Sequence, residues 1–221
     1  MLSLVLAESS LEIIPQNLQK HPSILSHAKR QQKKPSEMLL DNSWHFAAMK
    51  GIKDEIKRGR PDLVHVSVLA ATDTPLYEMG QVGVHLHTTN NHTITFGRNV
   101  RIPKSYHRFA GLVEKLFRDG TVQGAENQLL NLDRETFPEM INRLGPSQVV
   151  GLSTEGKPAS FEKVSSILDE KSCIVVGAFQ KGHFSSQVQN KIDCLYSVGN
   201  ISYDAHVVIS RILYEYEKRH C

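Results

Sequence analysis

The run CIVVGAF at 173–179 constrains this chain more than any other feature. A short, continuous, β-branched apolar segment ended by glycine predicts a strand buried on both faces. Strands of that kind belong to parallel sheets covered by helices. The surrounding rhythm agrees. Residues 2–7 and 147–153 are further apolar strands, and a short strand lies near 191–196. Helices fall at 160–169 and from about 203, where Ala205, Val208, Ile209, Ile212 and Tyr216 share one face. Residues 63–71 (LVHVSVLAA) are apolar and β-branched and read as a central strand. Segments 81–87 and 93–96, separated by Asn90-Asn91, predict an antiparallel hairpin. Residues 105–118 predict a helix with Tyr106, Phe109, Val113, Leu116 and Phe117 on one face, while 9–58 is helical in pieces broken by Pro15, Pro22 and Pro35. Ser43 is the expected N-cap of a helix carrying Trp44, Phe46, Ala47 and Met49, and Gly59-Arg60-Pro61 closes that section. The expectation is one α/β domain, 1–221, with the hairpin, about 79–100, inserted beside a mostly parallel sheet.

Several classes are excluded. No stretch approaches the 18 apolar residues that a membrane-spanning helix needs, and the opening MLSLVLAESS lacks a basic segment before its apolar run, so it reads as a strand and not a signal peptide. Three widely spaced cysteines, at 173, 194 and 221, imply neither a disulfide framework nor a Cys-x-x-Cys metal site, and suit a reducing, intracellular setting. The net charge of +3 decides nothing by itself. Its distribution says more. Segment 98–108 (RNVRIPKSYHR) carries Arg98, Arg101, Lys104 and Arg108 without an acid, and KRQQKK at 29–34 adds four cations. A polyanionic partner fits such clustering.

The chemistry-bearing residues are few. Gly177 and Gly182 have P-loop spacing, but His183 and Phe184 stand where Lys and Ser/Thr would hold phosphate and magnesium. These glycines serve either as turns or as the place where a ligand meets backbone at the end of a parallel strand. His85 and His87 share a strand face without a third ligand at ordinary spacing, so they read as core histidines, and no metal is expected. Asp62 follows Arg60-Pro61 and fits an ion pair that fixes a loop. Asp73, before Thr74-Pro75, is either a turn former or a base at the far end of the 63–71 strand.

LAESSLEIIP at 6–15, GRPDLVHVSVL at 59–69, DTPL at 73–76 and above all VRIPKSYHRFAGL at 100–112 form an ordered set. In this the chain resembles the small-subunit ribosomal RNA pseudouridine N1-methyltransferases, the nucleolar essential protein family of ribosome biogenesis, within the SPOUT superfamily. The resemblance implies a SPOUT α/β fold whose C-terminal segment threads a trefoil knot, an exception to unknotted topology. It implies a homodimer binding S-adenosylmethionine, with S-adenosylhomocysteine as product and no metal. By position, Thr154, Gly177, Gly182 and Leu195, Tyr196, Ser197, Val198, Gly199 and Asn200 are the cofactor candidates, in the region where the sequence departs most from its relatives. Arg60, Arg101, Lys104 and Arg108 match RNA-contacting positions, Asp62 would hold Arg60, and Asp73 falls near the methyl acceptor. Thr74 stands where Ser is frequent, and Lys104 where Arg also occurs, keeping charge but losing bidentate geometry.

The implied activity is methylation of N1 of a pseudouridine in a small-subunit ribosomal RNA stem-loop. It would be exercised in the cytoplasm, or in the nucleolus of a eukaryote, with ribosomal or assembly proteins as further partners and no membrane. The same basic cluster would serve a non-catalytic RNA-binding assembly factor, or a SPOUT methyltransferase acting on another RNA.

Overall fold

The computed structural model describes residues 1–97, 100–124 and 128–220; Arg98 of the basic segment and Cys221 lie outside them. In chain order the elements are β1 (Leu2–Ser9), α1 (Pro22–Gln31), α2 (Asn42–Met49), α3 (Pro61–Thr72), α4 (Pro75–Glu78), β2 (Val82–Thr88), β3 (His92–Phe96), α5 (Tyr106–Asp119), β4 (Thr121–Gln123) and β5 (Gln128–Arg134). There follow α6 (Phe137–Leu144), β6 (Val149–Pro158), α7 (Phe161–Ser166), β7 (Cys173–Gly177), α8 (Ser186–Gln189), β8 (Cys194–Ser197) and α9 (Ala205–His220).

Among the described residues the strands form one sheet in the order β4-β5-β3-β2-β1-β7-β6-β8. The half from β2 to β8 is parallel, as the unbroken apolar strands require. The half from β2 to β4 is antiparallel. The 82–96 hairpin forms as expected, but its first strand is integral to the sheet, pairing with β1 from Leu2↔Val82 to Leu6↔Leu86. Strands β4 and β5 and helix α6 were not anticipated. Side chains of β1 alternate across the sheet. Leu2, Leu4 and Leu6 pack under α3, α5, α7 and α9, while Val5 and Ala7 face Phe137, Met140 and Ile141 of α6 and Val188 of α8.

Two expectations are corrected. The 63–71 segment is not a strand but the middle of α3. Pro61 occupies its first turn, where the missing N–H is harmless, and Asp62 faces the positive helix end. The buried set, Val64, His65, Ser67, Val68, Ala71 and Thr72, follows the helical period, whereas β-branching had suggested extension. Asp73 consequently caps the C-terminus of a helix instead of leaving a strand. The N-cap of α2 is Asp41, not Ser43: the Asp41 carboxylate accepts the Ser43 N–H at 2.8 Å.

Strand β6 is irregular beside β8: Tyr196 pairs both with Leu152 and with Lys157, so the register shifts across residues 153–156. Gly156 makes the close approach possible, since a Cβ there would lie 2.4 Å from the Tyr196 carbonyl carbon.

Candidate active site

The carboxyl ends of β6, β7 and β8 open into a cavity of about 340 Å³, the position where parallel sheets bind ligands. Thr154, Gly177, Gly182, Ser197, Val198 and Gly199, all marked from sequence, line it. Leu195, Tyr196 and Asn200 do not line it. Successive β8 residues face opposite ways, so Leu195 enters the α6-side core and Tyr196 the other, and Asn200 is exposed. Sequence reasoning missed the rest of the wall: Leu63 from α3, Phe179, Lys181 and His183 from the glycine loop, and Tyr203 and Asp204 before α9. Only tertiary packing brings those three segments together. A mixed wall, with apolar Leu63, Val176 and Phe179 beside polar Ser153, Gln180, Lys181 and Asp204, suits a medium-sized ligand that carries both apolar and polar parts.

The glycine loop is held from outside. Lys57 donates to Glu8 Oε2 at 2.8 Å and to the His183 carbonyl, and its ammonium stands 4.6 Å from the Phe179 ring centre. Glu8 also accepts the Ser185 N–H at 3.2 Å, and Ser10 Oγ donates to the Lys57 carbonyl. Gly182 has φ +110°, a conformation that side chains resist. His183 Nδ1 lies 3.3 Å from Glu155 Oε2. The space at Gly177 is filled by the Phe179 ring, which a Cβ would meet at 2.7 Å. That glycine therefore admits an aromatic wall.

At the N-terminal end of α3, Arg60 donates from Nε and Nη2 to both oxygens of Asp62, each at 2.8 Å. This pairing raises the guanidinium pKa. Burial pushes the Asp62 carboxyl up, but the Arg60 bonds and charge and the Leu63 N–H outweigh it, so the net shift is downward. The ion pair expected between Arg60 and Asp62 is present, and Leu63 next to it lines the cavity. The basic segment docks on α3: His65 Nε2 donates to the Pro103 carbonyl at 2.7 Å and its ring stacks on Phe109 at 4.4 Å. Arg101, Lys104 and Arg108 are exposed. Lys104 sits 3.4 Å from Asp73, which stands roughly 15 Å along α3 from Leu63 at 1.5 Å rise per residue. Asp73 is not among the residues that line the cavity.

His85 and His87 are buried, as expected of core histidines. Burial pushes His85 down to about 4, and it pushes the Cys173 thiol up to about 12, so that thiol is not a nucleophile at neutral pH.

A family model described as EMG1/NEP1 methyltransferase matches residues 4–217. The Ribosomal RNA small subunit methyltransferase Nep1 of Thermococcus onnurineus is 38% identical over 221 residues, covering 98% of each chain. The protein of the same name from Thermococcus sibiricus is 36% identical over 219 residues with the same coverage. The crystal structure of Archaeoglobus fulgidus Nep1 bound to S-adenosylhomocysteine superposes with a TM-score of 0.89 at 33% identity, covering 99% of this chain and 98% of that one. Full-length agreement in sequence and in fold leads to one conclusion: the chain belongs to the EMG1/NEP1 methyltransferase family.

Proposed function

We propose that this protein is an S-adenosylmethionine-dependent methyltransferase that modifies N1 of a pseudouridine in small-subunit ribosomal RNA. The observation that carries the reading is a ligand-sized cavity at the ends of β6, β7 and β8 whose wall, at Leu63, adjoins the Arg60–Asp62 pair on α3, the helix on which the basic segment 100–108 also docks through His65 and Pro103. Arg60 points a fixed guanidinium toward phosphate because Asp62 consumes its other donors. When bound, S-adenosylmethionine supplies a methyl group already activated on a sulfonium. Gly177, Gly182, Ser197, Val198, Gly199 and Thr154 hold it through the cavity wall, and the Lys57–Glu8 contact keeps that wall closed against water. The acceptor is a base presented outside its stack. Pseudouridine offers a ring N–H at N1, where uridine has the bond to its sugar.

Asp73 orients the acceptor or takes its proton. Its absence from the cavity wall favours a homodimer in which Asp73, Lys104 and Arg108 serve the partner's cavity. We take the C-terminal segment to thread a trefoil knot, as the family resemblance implies. Among the described residues no helix is long and apolar enough to cross a membrane, and we assign the work to the site of ribosome assembly, cytoplasmic or nucleolar. The deciding experiment is single-turnover methyl transfer from S-adenosylmethionine to a pseudouridine stem-loop and to the identical uridine RNA. Transfer confined to the pseudouridine RNA, and slowed about 100-fold or more by Asp73→Asn at saturating RNA and cofactor, is the expected result. Equal transfer to both RNAs refutes the specificity.

A further inference from the structure

A second cavity, of about 360 Å³, lies between α1, α2 and the first turns of α5. We infer that it receives an unpaired nucleobase of the RNA, one other than the base being methylated. The inference rests on the reading above that the chain binds structured RNA, and adds a second place where that RNA is gripped.

The cavity is aromatic and held rigid from behind. His27, Trp44, Tyr106 and His107 line it. Trp44 is 44% exposed, an unusual state for an indole in a folded core. Its ring stacks on His27 with centroids 4.7 Å apart, and the Arg30 guanidinium stands 5.2 Å from its centre. The supporting hydrogen bonds fix each tautomer. The Asp41 N–H donates to His45 Nδ1 at 3.0 Å, so the neutral His45 ring carries its proton on Nε2. That nitrogen lies 2.9 Å from His27 Nδ1, which must therefore accept. The His27 proton is left on Nε2, without a partner among the described residues. Tyr106 OH donates to the Asp41 carboxylate, whose other oxygen caps α2. The Glu114 carboxylate, also in the wall, is consumed by Lys33 at 2.5 Å and by the Leu39 N–H at 3.1 Å. Glu114 is thus paired with a cation, while Asp41 stays charged with its oxygens occupied by Tyr106 and Ser43, and a donor and flat rings remain for a ligand.

The surroundings of the cavity are rich in cations. Lys29 and Arg30 belong to α1, Lys33 in the wall is paired with Glu114 and Lys34 with Glu37, and on the α5 side Lys104, facing Asp73, and Arg108 flank Tyr106 and His107 in sequence. Stacking surfaces framed by cations are how proteins hold single-stranded nucleotides, the rings taking bases and the cations phosphates. Arg30, a surface side chain, can leave the indole for a phosphate as a base arrives. Arg60 lies near both cavities without lining either. The Asn42 N–H at the start of α2 donates to the Gly59 carbonyl at 2.8 Å, beside Arg60 in the chain. Arg60 feels both Asp41 on one side and Asp204 on the other. One RNA running over Arg60 meets both.

Trp44 is the only tryptophan in the chain, so its emission reports this cavity directly. The test titrates the full-length protein with a pseudouridine stem-loop labelled at its 5′ end, following label anisotropy and Trp44 emission together. The same titration is made with RNAs carrying an abasic site at each unpaired position in turn, and with the variants Trp44→Ala and Trp44→Phe. Expected are saturable quenching that tracks binding, recovery of emission with one abasic RNA other than that lacking the target base, and binding weakened about 10- to 100-fold in Trp44→Ala. Trp44→Phe should keep most of the affinity, and neither variant should change affinity for S-adenosylhomocysteine. Anisotropy that shows binding while Trp44 emission stays constant overturns the inference and leaves the RNA reading intact; so does emission that answers only to a protein partner. Absence of any binding overturns the RNA reading and this inference with it.

Discussion

Replacing Lys57 by methionine tests whether the glycine loop is held as the structure implies. The Lys57 and Glu8 side chains are 16% and 9% exposed, and the ammonium–carboxylate distance is 2.8 Å. Methionine keeps most of the aliphatic stem and removes the ammonium with its charge and its hydrogen bonds. Losing one partner of a buried ion pair costs about 3–5 kcal/mol, because the other charge is left without compensation. Here the Ser185 N–H still reaches Glu8, so the lower end applies, about 3 kcal/mol. At 2–4 °C per kcal/mol for a chain of this size, Tm should fall by roughly 6–12 °C. The same variant releases the His183 carbonyl and the Phe179 ring, both parts of the cavity wall. Affinity for S-adenosylhomocysteine, read by isothermal titration below the new Tm, should fall with it. The double variant Lys57→Met/Glu8→Gln removes the orphaned charge and should recover about half of the lost stability. A Lys57→Met protein within about 0.5 kcal/mol of wild type would show an ordinary surface pair and refute the reasoning. A lower Tm with unchanged ligand affinity would refute only the link to the loop.

Other outcomes follow from the same geometry. Gly182→Val forces a β-branched residue to φ +110°, and should abolish measurable S-adenosylhomocysteine binding while the chain stays folded by circular dichroism; affinity within about threefold of wild type would make this glycine a mere turn. Arg101→Ala and Arg108→Ala should each lower the slope of log affinity for RNA against log salt by about 0.7–0.9, without altering cofactor binding, and an unchanged slope in both would mean a solvated face. His85 is held neutral down to about pH 4 by burial, while the unfolded chain protonates it near 6.5. Its contribution is therefore complete above about pH 6.5 and lost as pH falls toward 4, at up to about 1.4 kcal/mol per pH unit. Urea melts of His85→Leu between pH 4.5 and 6.5 should show a slope shallower by about one proton, and an unchanged slope would return the acid sensitivity to other groups, His45 first.

Some of the site was readable residue by residue. Arg60 and Asp62 pair as neighbours across one proline, because chain connectivity alone puts them within reach. The strands β1, β6 and β7 declared themselves through unbroken apolar runs, since a strand covered on both faces has no polar side to display. The segment 63–71 failed for the same reason inverted. A helix packed under a sheet on one side and against α9 on another is also apolar over much of its surface, and β-branching then mimics a strand. The correct signal was present in Pro61 and Asp62, a helix start with an acid in its first turn.

By itself, the sequence determined the class of fold, the basic segment at 100–108 and the glycines at the ends of strands, and, through the ordered motifs in which it resembles known proteins, the family. Apart from the family, those properties are local: they depend on composition and spacing. Tertiary structure decided which segments share a wall. Leu63, His183 and Asp204 are 63, 183 and 204 residues into the chain, yet they line one cavity because α3 and α9 cross the sheet above the ends of β6, β7 and β8. It decided that Lys57 and Glu8 hold the glycine loop, that Tyr106 reaches Asp41, and that the lone tryptophan opens onto a second cavity. Such contacts bridge tens of residues, and their energy comes from burial and charge pairing that exist only once the sheet has brought the segments together.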